Sequence, residues 1–564
     1  MRNLSIYAAL AFLSFSTAAN AQTTLKTILG NSADDEYGYA ISNLGDINGD
    51  GRDDVIVGAR WDDMHGTNSG TVTVYSGQGF VQLYQFKGDT QYDHLGTSVA
   101  GVGDVNNDGV PDFAAGADGD DNNGPTSGSV RVWSGQNGAV LYNFNGAATD
   151  DAFGTSVAGA GDVDADGFAD VIVGAPGVAV AGFAAGGARV FSGRTGSVLF
   201  TLNGLAVSDY FGTSVAGLGD VNGDGKDDFA VGAPYADPNG AASGKVRVFS
   251  GATGAQMWAV NGSAAAENFG ITISGAGDVN RDGVPDLIVG APYASGPALQ
   301  SGVAKVFSGN NGAVLYTFTG DNATDLFGSS VGGAGDMDND NYADVIIGSI
   351  WDDVNATSSG SAKVYSGKTG VMMFMFSGDV LQQQFGSQVC TAGDVNNDGF
   401  ADIIASAYLD DGAGHDAGMI RVISPLPFPT GIYCQGKVNS AGCLPLIATS
   451  GTPRVGGSLP FTISASKIVG NKSGFLMYSG NAASTPFQGG TLCVSVPVKR
   501  TTPQNSGGTA GACNGHFAMD FNAWIRSGVD PLLIAGRDVY SQYYYRDVNN
   551  TAGLTNAVTF TIAP

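Results

Sequence analysis

Gly219–Pro234 reads GDVNGDGKDDFAVGAP and crowds Asp220, Asn222, Asp224 and Asp228 into nine residues. Oxygen-bearing side chains at alternate positions, with Gly225 at the sixth, describe a loop that wraps a hard cation. Calcium takes about six to eight oxygens at roughly 2.3–2.6 Å from carboxylates, carboxamides and backbone carbonyls. In the pattern D-x-[DN]-x-D-G-x-x-D, positions 1, 3, 5 and 9 offer side-chain oxygens. Position 7 offers its carbonyl, and glycine at position 6 permits the sharp turn.

The loop recurs with its first residue at Asp46, Asp104, Asp162, Asp220, Asp278, Asp336 and Asp394, a constant step of 58 residues. Position 3 is Asn48, Asn106, Asp164, Asn222, Asn280, Asp338 and Asn396. Position 5 is Asp50, Asp108, Asp166, Asp224, Asp282, Asp340 and Asp398, and position 9 is Asp54, Asp112, Asp170, Asp228, Asp286, Asp344 and Asp402. The carbonyls at position 7 belong to Arg52, Val110, Phe168, Lys226, Val284, Tyr342 and Phe400. Asn341 alone replaces the glycine at position 6. Asn is the next most tolerant residue of a left-handed backbone, and Asp338 adds a compensating carboxylate in the same loop.

Other readings of these acids fail on chemistry. An EF-hand needs a bidentate Glu at position 12 and flanking helices, whereas position 12 here is Val57, Ala115, Val173, Val231, Val289, Ile347 or Ala405. Asp and Asn favour turns on their own account, but close carboxylates repel by roughly 1 kcal/mol per pair even in water. Seven loops keeping that cost call for a counter-ion, and magnesium, which holds its waters in a small octahedral shell, fits poorly. The three Asp positions of seven loops, with Asp164 and Asp338, supply 23 of the 52 acids in a chain of net charge −27. Such a charge excludes nucleic acid as a partner, since phosphate binding needs cations on the protein.

The elements that must position these loops are strands. In the fourth repeat GTSVAGLGD (Gly212–Asp220) alternates and leads into the acidic loop, and DFAVGAP (Asp228–Pro234) is a continuous apolar run. KVRVFSG (Lys245–Gly251) and AQMWAVNG (Ala255–Gly262) follow across turns. Four short antiparallel strands per repeat, with Gly at 88 of 564 residues, predict an all-β, seven-bladed β-propeller. The last repeat stops after its third strand, MIRVIS, while an extra strand-like LKTIL begins at Leu25. The N-terminal strand is therefore expected to complete the seventh blade and leave no open sheet edge.

Two further phrases recur in phase. Phe153-Gly154, Phe211-Gly212, Phe269-Gly270, Phe327-Gly328 and Phe385-Gly386 precede the first strands, with Tyr37-Gly38 and Leu95-Gly96 as altered copies. Gly174-Ala175-Pro176, Gly232-Ala233-Pro234 and Gly290-Ala291-Pro292 end the second strands. These residues resemble the FG-GAP repeat family, best known from the N-terminal propeller of integrin α subunits. The resemblance implies a calcium-stabilised extracellular propeller acting in recognition or adhesion, with up to seven structural calcium ions. The calcium loops lie at one end of the blades, and the longer, more varied loops at the other. There Trp61, Asp62, Asp120, Tyr235, Tyr293, Trp351 and Asp352 are the candidate contacts for an extracellular protein or glycan ligand.

Residues 1–21 read as a secretory signal peptide, with Arg2, an apolar Leu4–Phe15 run and Ala19-Asn20-Ala21 before the cleavage point. The expected order is signal peptide, propeller over 22–424, linker over 425–432, and a second β domain, sandwich-like, over 433–564. Alternation in HFAMDFNAWI (His516–Ile525), DVYSQYYYRD (Asp538–Asp547) and AVTFTIA (Ala557–Ala563) supports that domain. In an exported protein Cys434, Cys443, Cys493 and Cys513 suggest two disulfides, paired locally as 434–443 and 493–513. No later segment reaches the ~18 apolar residues of a membrane helix. No nucleophile elbow, phosphate loop or His metal pair is present, so no catalytic residue is assigned. The alternative function is an extracellular glycosidase or lyase with its carboxylates on the varied-loop face.

Overall fold

The computed structural model describes residues 22–562 apart from 339, 398–399, 426–430, 434–436, 438, 442–444, 452, 456–459, 481, 488–489, 496, 535–536 and 548–551. The expected signal peptide, and Asp398 of the seventh loop, lie outside the described residues. Thr23–Pro425 form one compact unit, and Leu426–Pro564 fall in another.

The first unit contains seven four-stranded antiparallel sheets among the described residues, numbered here in chain order from Tyr37. Sheet 4 shows why the sequence reads as it does. It comprises Ser214–Gly219, Asp228–Ala233, Lys245–Phe249 and Gln256–Asn261, with Val231 between Val215 and Arg247 in register. Its second strand is buried at every position, because neighbouring sheets cover both faces, so the run is apolar without alternation. Its outer strand is buried at no position.

Contact between sheets explains the two phased glycines. A Cβ on Gly174, Gly232 or Gly290 would overlap the carbonyl of Gly212, Gly270 or Gly328 in the next sheet. That carbonyl also accepts a hydrogen bond from the first strand of the preceding sheet. Ser156 Oγ donates to Gly212 at 2.9 Å, Ser214 to Gly270 at 2.7 Å, and Ser330 to Gly386 at 2.7 Å. Only two backbones without side chains can approach so closely. The aromatic of each FG pair, such as Phe211, Phe269 or Phe327, is 0–1 % exposed, and its backbone bridges to the glycine opening the third strand of the previous sheet. These bridges run Gly128–Phe153, Gly186–Phe211, Gly244–Phe269, Gly302–Phe327 and Gly360–Phe385, and Gly418 of the last sheet bridges to Tyr37 of the first.

Gln22–Leu29 is the outer strand of the last sheet, beside Met419–Pro425. The Gly30 amide donates to the Gly418 carbonyl at 2.8 Å, as Gly88 does to Gly70 at 3.0 Å after a fourth strand made in sequence. Chain start and repeat end thus meet in one sheet of a β-propeller arrangement.

In the second unit Gly431–Tyr433, Ala552–Thr561, Asp538–Arg546, Ser473–Ser479 and Lys499–Arg500 lie side by side, and Leu446–Ser450, Thr462–Ile468 and Gly515–Asp520 form a smaller sheet. Ile463 and Phe517 of the smaller sheet share a buried core with Leu476, Tyr543 and Phe560 of the larger. One expectation fails here. His516–Ile525 is not a single strand, because the chain turns into a helix at Phe521–Arg526. The Asp520 carboxylate caps it by accepting the Ala523 amide at 3.1 Å. The strands also reach into the segment expected as linker, ending at Pro425 on one side and starting at Gly431 on the other. Cys434, Cys443 and the Cys493 side chain lie outside the described residues. Cys513 takes part in a disulfide, Cys390 is a free thiol, and the expected pairing stays an expectation.

The glycine contacts make a sharp prediction. Gly232→Ala should cost about 2–3 kcal/mol by overpacking, whereas Gly223→Ala, at φ 75° with open space around it, should cost about 1 kcal/mol of backbone strain. Urea denaturation of both variants checks the ranking, and equal losses would contradict close backbone packing between sheets.

Candidate metal centres

Each acidic loop joins the first and second strands of its sheet, and each of the first six is wound around its first aspartate. In the fourth loop the Asp220 carboxylate accepts the amides of Gly223, Asp224 and Gly225 at 2.7, 3.1 and 2.8 Å. Asp224 accepts the Lys226 amide at 3.1 Å. The first, second, third, fifth and sixth loops repeat this winding. Position 6 is left-handed throughout the described loops, with φ 84° at Gly225 and 69° at Asn341. Position 4 is left-handed as well, at Gly49, Asn107, Ala165, Gly223, Arg281 and Asn397. Sequence reasoning missed that second kink, since neither Ala165 nor Arg281 advertises it.

The aspartate at position 9 is fully buried in all seven repeats. It does more than face the loop. Asp228 accepts the Val221 amide at 3.0 Å and the Gly251 amide, from the turn between the third and fourth strands, at 2.8 Å. The same pair of bonds holds Asp54, Asp112, Asp170, Asp286 and Asp344. The Ser-Gly that follows the third strand in each of the first six repeats was the available signal. A carboxylate has about four lone-pair sites, so these bonds leave capacity for a cation.

Position 3 divides the loops. In three of the five loops where it is Asn, the amide is used internally: Asn222 Nδ2 donates to Asp228 at 3.0 Å, Asn48 Nδ2 to Asp54 at 3.2 Å, and Asn396 Nδ2 to Asp402 at 3.1 Å. Where it is Asp, three carboxylates converge. Asp162, Asp164 and Asp170 bring oxygens within 4.8 Å of one another, as do Asp336, Asp338 and Asp344. Asp164 Oδ1 and Asp338 Oδ1 are buried and have no hydrogen-bond partner. An orphaned buried carboxylate oxygen among like charges is costly, and a hard divalent cation is the group that would satisfy it.

The electrostatics agree. Burial, with the neighbouring carboxylates adding to it and backbone amides opposing it, lifts Asp170 and Asp344 to about 7. The same causes lift Asp54, Asp112, Asp228 and Asp286 to about 6. Asp338 also rises to about 6, through burial and then Asp340 and Asp336.

The opposite end is built from the loops between second and third strands and those leading to the next sheet, which bond to each other, as Tyr92 N–H does to Thr67 at 2.8 Å. Of the expected ligand contacts there, three acids turn inward. Asp62, Asp120 and Asp352 are buried and accept the hydroxyls of Thr71, Ser129 and Ser361 at 3.0, 2.6 and 2.7 Å. They brace the loops and do not offer themselves to a ligand, which corrects that part of the expectation. Trp61 is half-buried beneath the Arg60 guanidinium, while Trp351, Tyr235 and Tyr293 are exposed. Ring closure also creates a grouping that the sequence hid: Asp34, His415 and Asp416, all within 4.8 Å. His415 Nδ1 lies 2.8 Å from Asp34 Oδ1, and that hydrogen bond raises the imidazole pKa.

Comparison with known proteins bears on these repeats. The FG-GAP repeat family profile matches residues 37–75, 153–191, 211–249, 269–316 and 385–423. The repeats opening at Leu95 and Phe327 fall outside those spans but build the same sheet. Integrin alpha-V of Gallus gallus is 35 % identical over 237 residues, 39 % of this chain and 22 % of the relative. Integrin alpha-5 of Xenopus laevis is 32 % identical over 243 residues, 37 % of this chain and 21 % of the relative. The chain therefore spans about a fifth of the length of these relatives.

A pH dependence follows. Well below the ordinary aspartate value of about 4, these groups are protonated in folded and unfolded chain alike. As pH rises the unfolded chain releases its protons first, so stability falls until pH passes the folded values of about 6 to 7. Metal-stripped protein should melt lower at about pH 7.5 than at about pH 5, and saturating divalent cation should reverse the order. Calorimetry checks this, and a melting temperature that climbs with pH in stripped protein would refute it.

Proposed function

This chain is an FG-GAP repeat protein, integrin α-like across its repeats, and from that premise we propose that it is a secreted, seven-bladed, calcium-stabilised recognition module. Its ligand is an extracellular protein surface bound at the varied-loop end. The observation that carries the metal part is the pair of buried, unpartnered oxygens, Asp164 Oδ1 and Asp338 Oδ1, within clusters of three carboxylates. Positions 1, 3, 5 and 9 of each loop, with the carbonyl at position 7, would hold the ion. A donor set of carboxylates and a carbonyl on an irregular loop suits calcium better than the small octahedral shell of magnesium. Bound calcium supplies charge neutralisation between the first two strands of each blade. Because position 9 also holds the turn after the third strand, the ion would tie three strands together.

The loop end supports recognition through exposed Trp351, Tyr235, Tyr293 and Phe183, residue types that anchor protein interfaces. Of the carboxylates expected to serve a glycosidase or lyase on that face, Asp62, Asp120 and Asp352 are engaged inside the loops. Among the described residues no helix is long and apolar enough to cross a membrane.

With site affinities on the order of 0.1 mM and about 1 mM calcium, each ion adds roughly 1.4 kcal/mol. Seven would add about 10 kcal/mol, as much as an ordinary domain's entire stability. Chelation should therefore lower the melting temperature by more than about ten degrees, and an unmoved melt would remove calcium from the account. For recognition, attachment of the calcium-loaded chain to extracellular matrix proteins should weaken at least tenfold in a Trp351→Ala, Tyr235→Ala variant that melts normally. Undiminished attachment would place the ligand elsewhere.

A further inference from the structure

The seven acidic loops are alike in spacing but not in how they satisfy themselves, and we infer that the third and sixth form a separate, tighter class of calcium site. This rests on the calcium reading above and adds a ranking among its sites. In the first, fourth and seventh loops the Asn amide at position 3 donates to the buried aspartate at position 9, at 3.0–3.2 Å. That bond gives the carboxylate a partner before any ion arrives, and an ion must compete with it. In the second and fifth loops position 3 is again a neutral carboxamide, Asn106 or Asn280, whose oxygen accepts the amide of Asp108 or Asp282 at 2.9 or 2.8 Å.

The third and sixth loops have no such donor. Asp164 and Asp338 replace the amide with a fourth carboxylate, and each leaves one buried oxygen without a hydrogen-bond partner. Among the described residues these are the only two loops in which three carboxylates offer oxygens within 4.8 Å of one another. Two independent observations, converging charge and an orphaned buried acceptor, thus fall on the same two repeats. Calcium affinity in such loops is set by ligand charge count and by site rigidity. The extra carboxylate raises the first, and the pre-wound backbone around Asp162 and Asp336 supplies the second.

The sixth loop carries two modifiers. Asn341 keeps the left-handed turn at φ 69°, and Lys368 Nζ lies 3.5 Å from Asp340 Oδ2. The lysine is half-exposed and can swing to solvent when an ion enters, so it lowers affinity there only modestly. The two loops are three repeats apart, so at low calcium the ring would be clamped at two well-separated blades while the others stay unloaded.

The test is calcium titration of the chelator-stripped full chain by isothermal calorimetry, with bound calcium counted by equilibrium dialysis. Two ions should bind at least about tenfold more tightly than the remainder. The Asp164→Asn, Asp338→Asn double variant should lose the tight class while binding the same total at high calcium. In the converse variant, Asn222→Asp, the tight class should rise to three, a gain that misfolding cannot mimic. Seven ions in a single affinity class, or a tight class that survives the double variant, would overturn this ranking alone. No bound calcium at all would overturn both the ranking and the calcium reading beneath it.

Discussion

At one end of every sheet lies a fully buried aspartate, which in six of the seven holds two turns together, and the remaining architecture leans on that burial. Its carboxylate accepts one amide from the acidic loop and, in the first six repeats, one from the turn beyond the third strand. A buried charge held by two neutral amides is only partly compensated. The loop around it gathers three further oxygen-bearing side chains, so the compensation that remains can come from a cation. On the calcium reading proposed above, metal affinity and blade integrity would for this reason be one property of the fold.

The second constraint is steric. Neighbouring sheets touch through bare backbone, with the glycine ending one second strand against the carbonyl of the glycine opening the next first strand. The contact repeats around the unit and reaches the junction of last and first sheets in altered form, where Gly38 lies against Ser406 and Ile420. Because each sheet is placed by its neighbours, the two ends of the blades are separated cleanly. The acidic loops keep to one end, and the exposed aromatics gather at the other. On the proposed reading, such a division would let one end serve stability while the other serves recognition.

Much of this was legible in the chain itself. The 58-residue period, the four strands and the loop pattern are all local, so propensity and spacing reveal them. The Asn341 substitution was also readable, since a left-handed residue short of glycine is most often Asn. Failures came where alternation has two explanations. Phe521, Ala523 and Ile525 fall on alternate positions as a strand would place them, yet Asp520 caps them into a helix. Asp62, Asp120 and Asp352 looked like surface acids because their neighbours are polar, and only the folded loop shows each carboxylate turned inward onto a hydroxyl.

By itself the sequence determined what is periodic: an all-β repeat chain, seven cation-type loops, and the phased glycines that mark where blades meet. Tertiary structure decided what depends on partners distant along the chain. It paired Gln22–Leu29 with Met419–Pro425 and brought Asp34 to His415 across 381 residues. It also left Asp164 Oδ1 and Asp338 Oδ1 as the unmet acceptors. The physical reason is that spacing along a chain records which groups a turn can gather. Which lone pairs remain unsatisfied is known only after every neighbouring turn has folded against them.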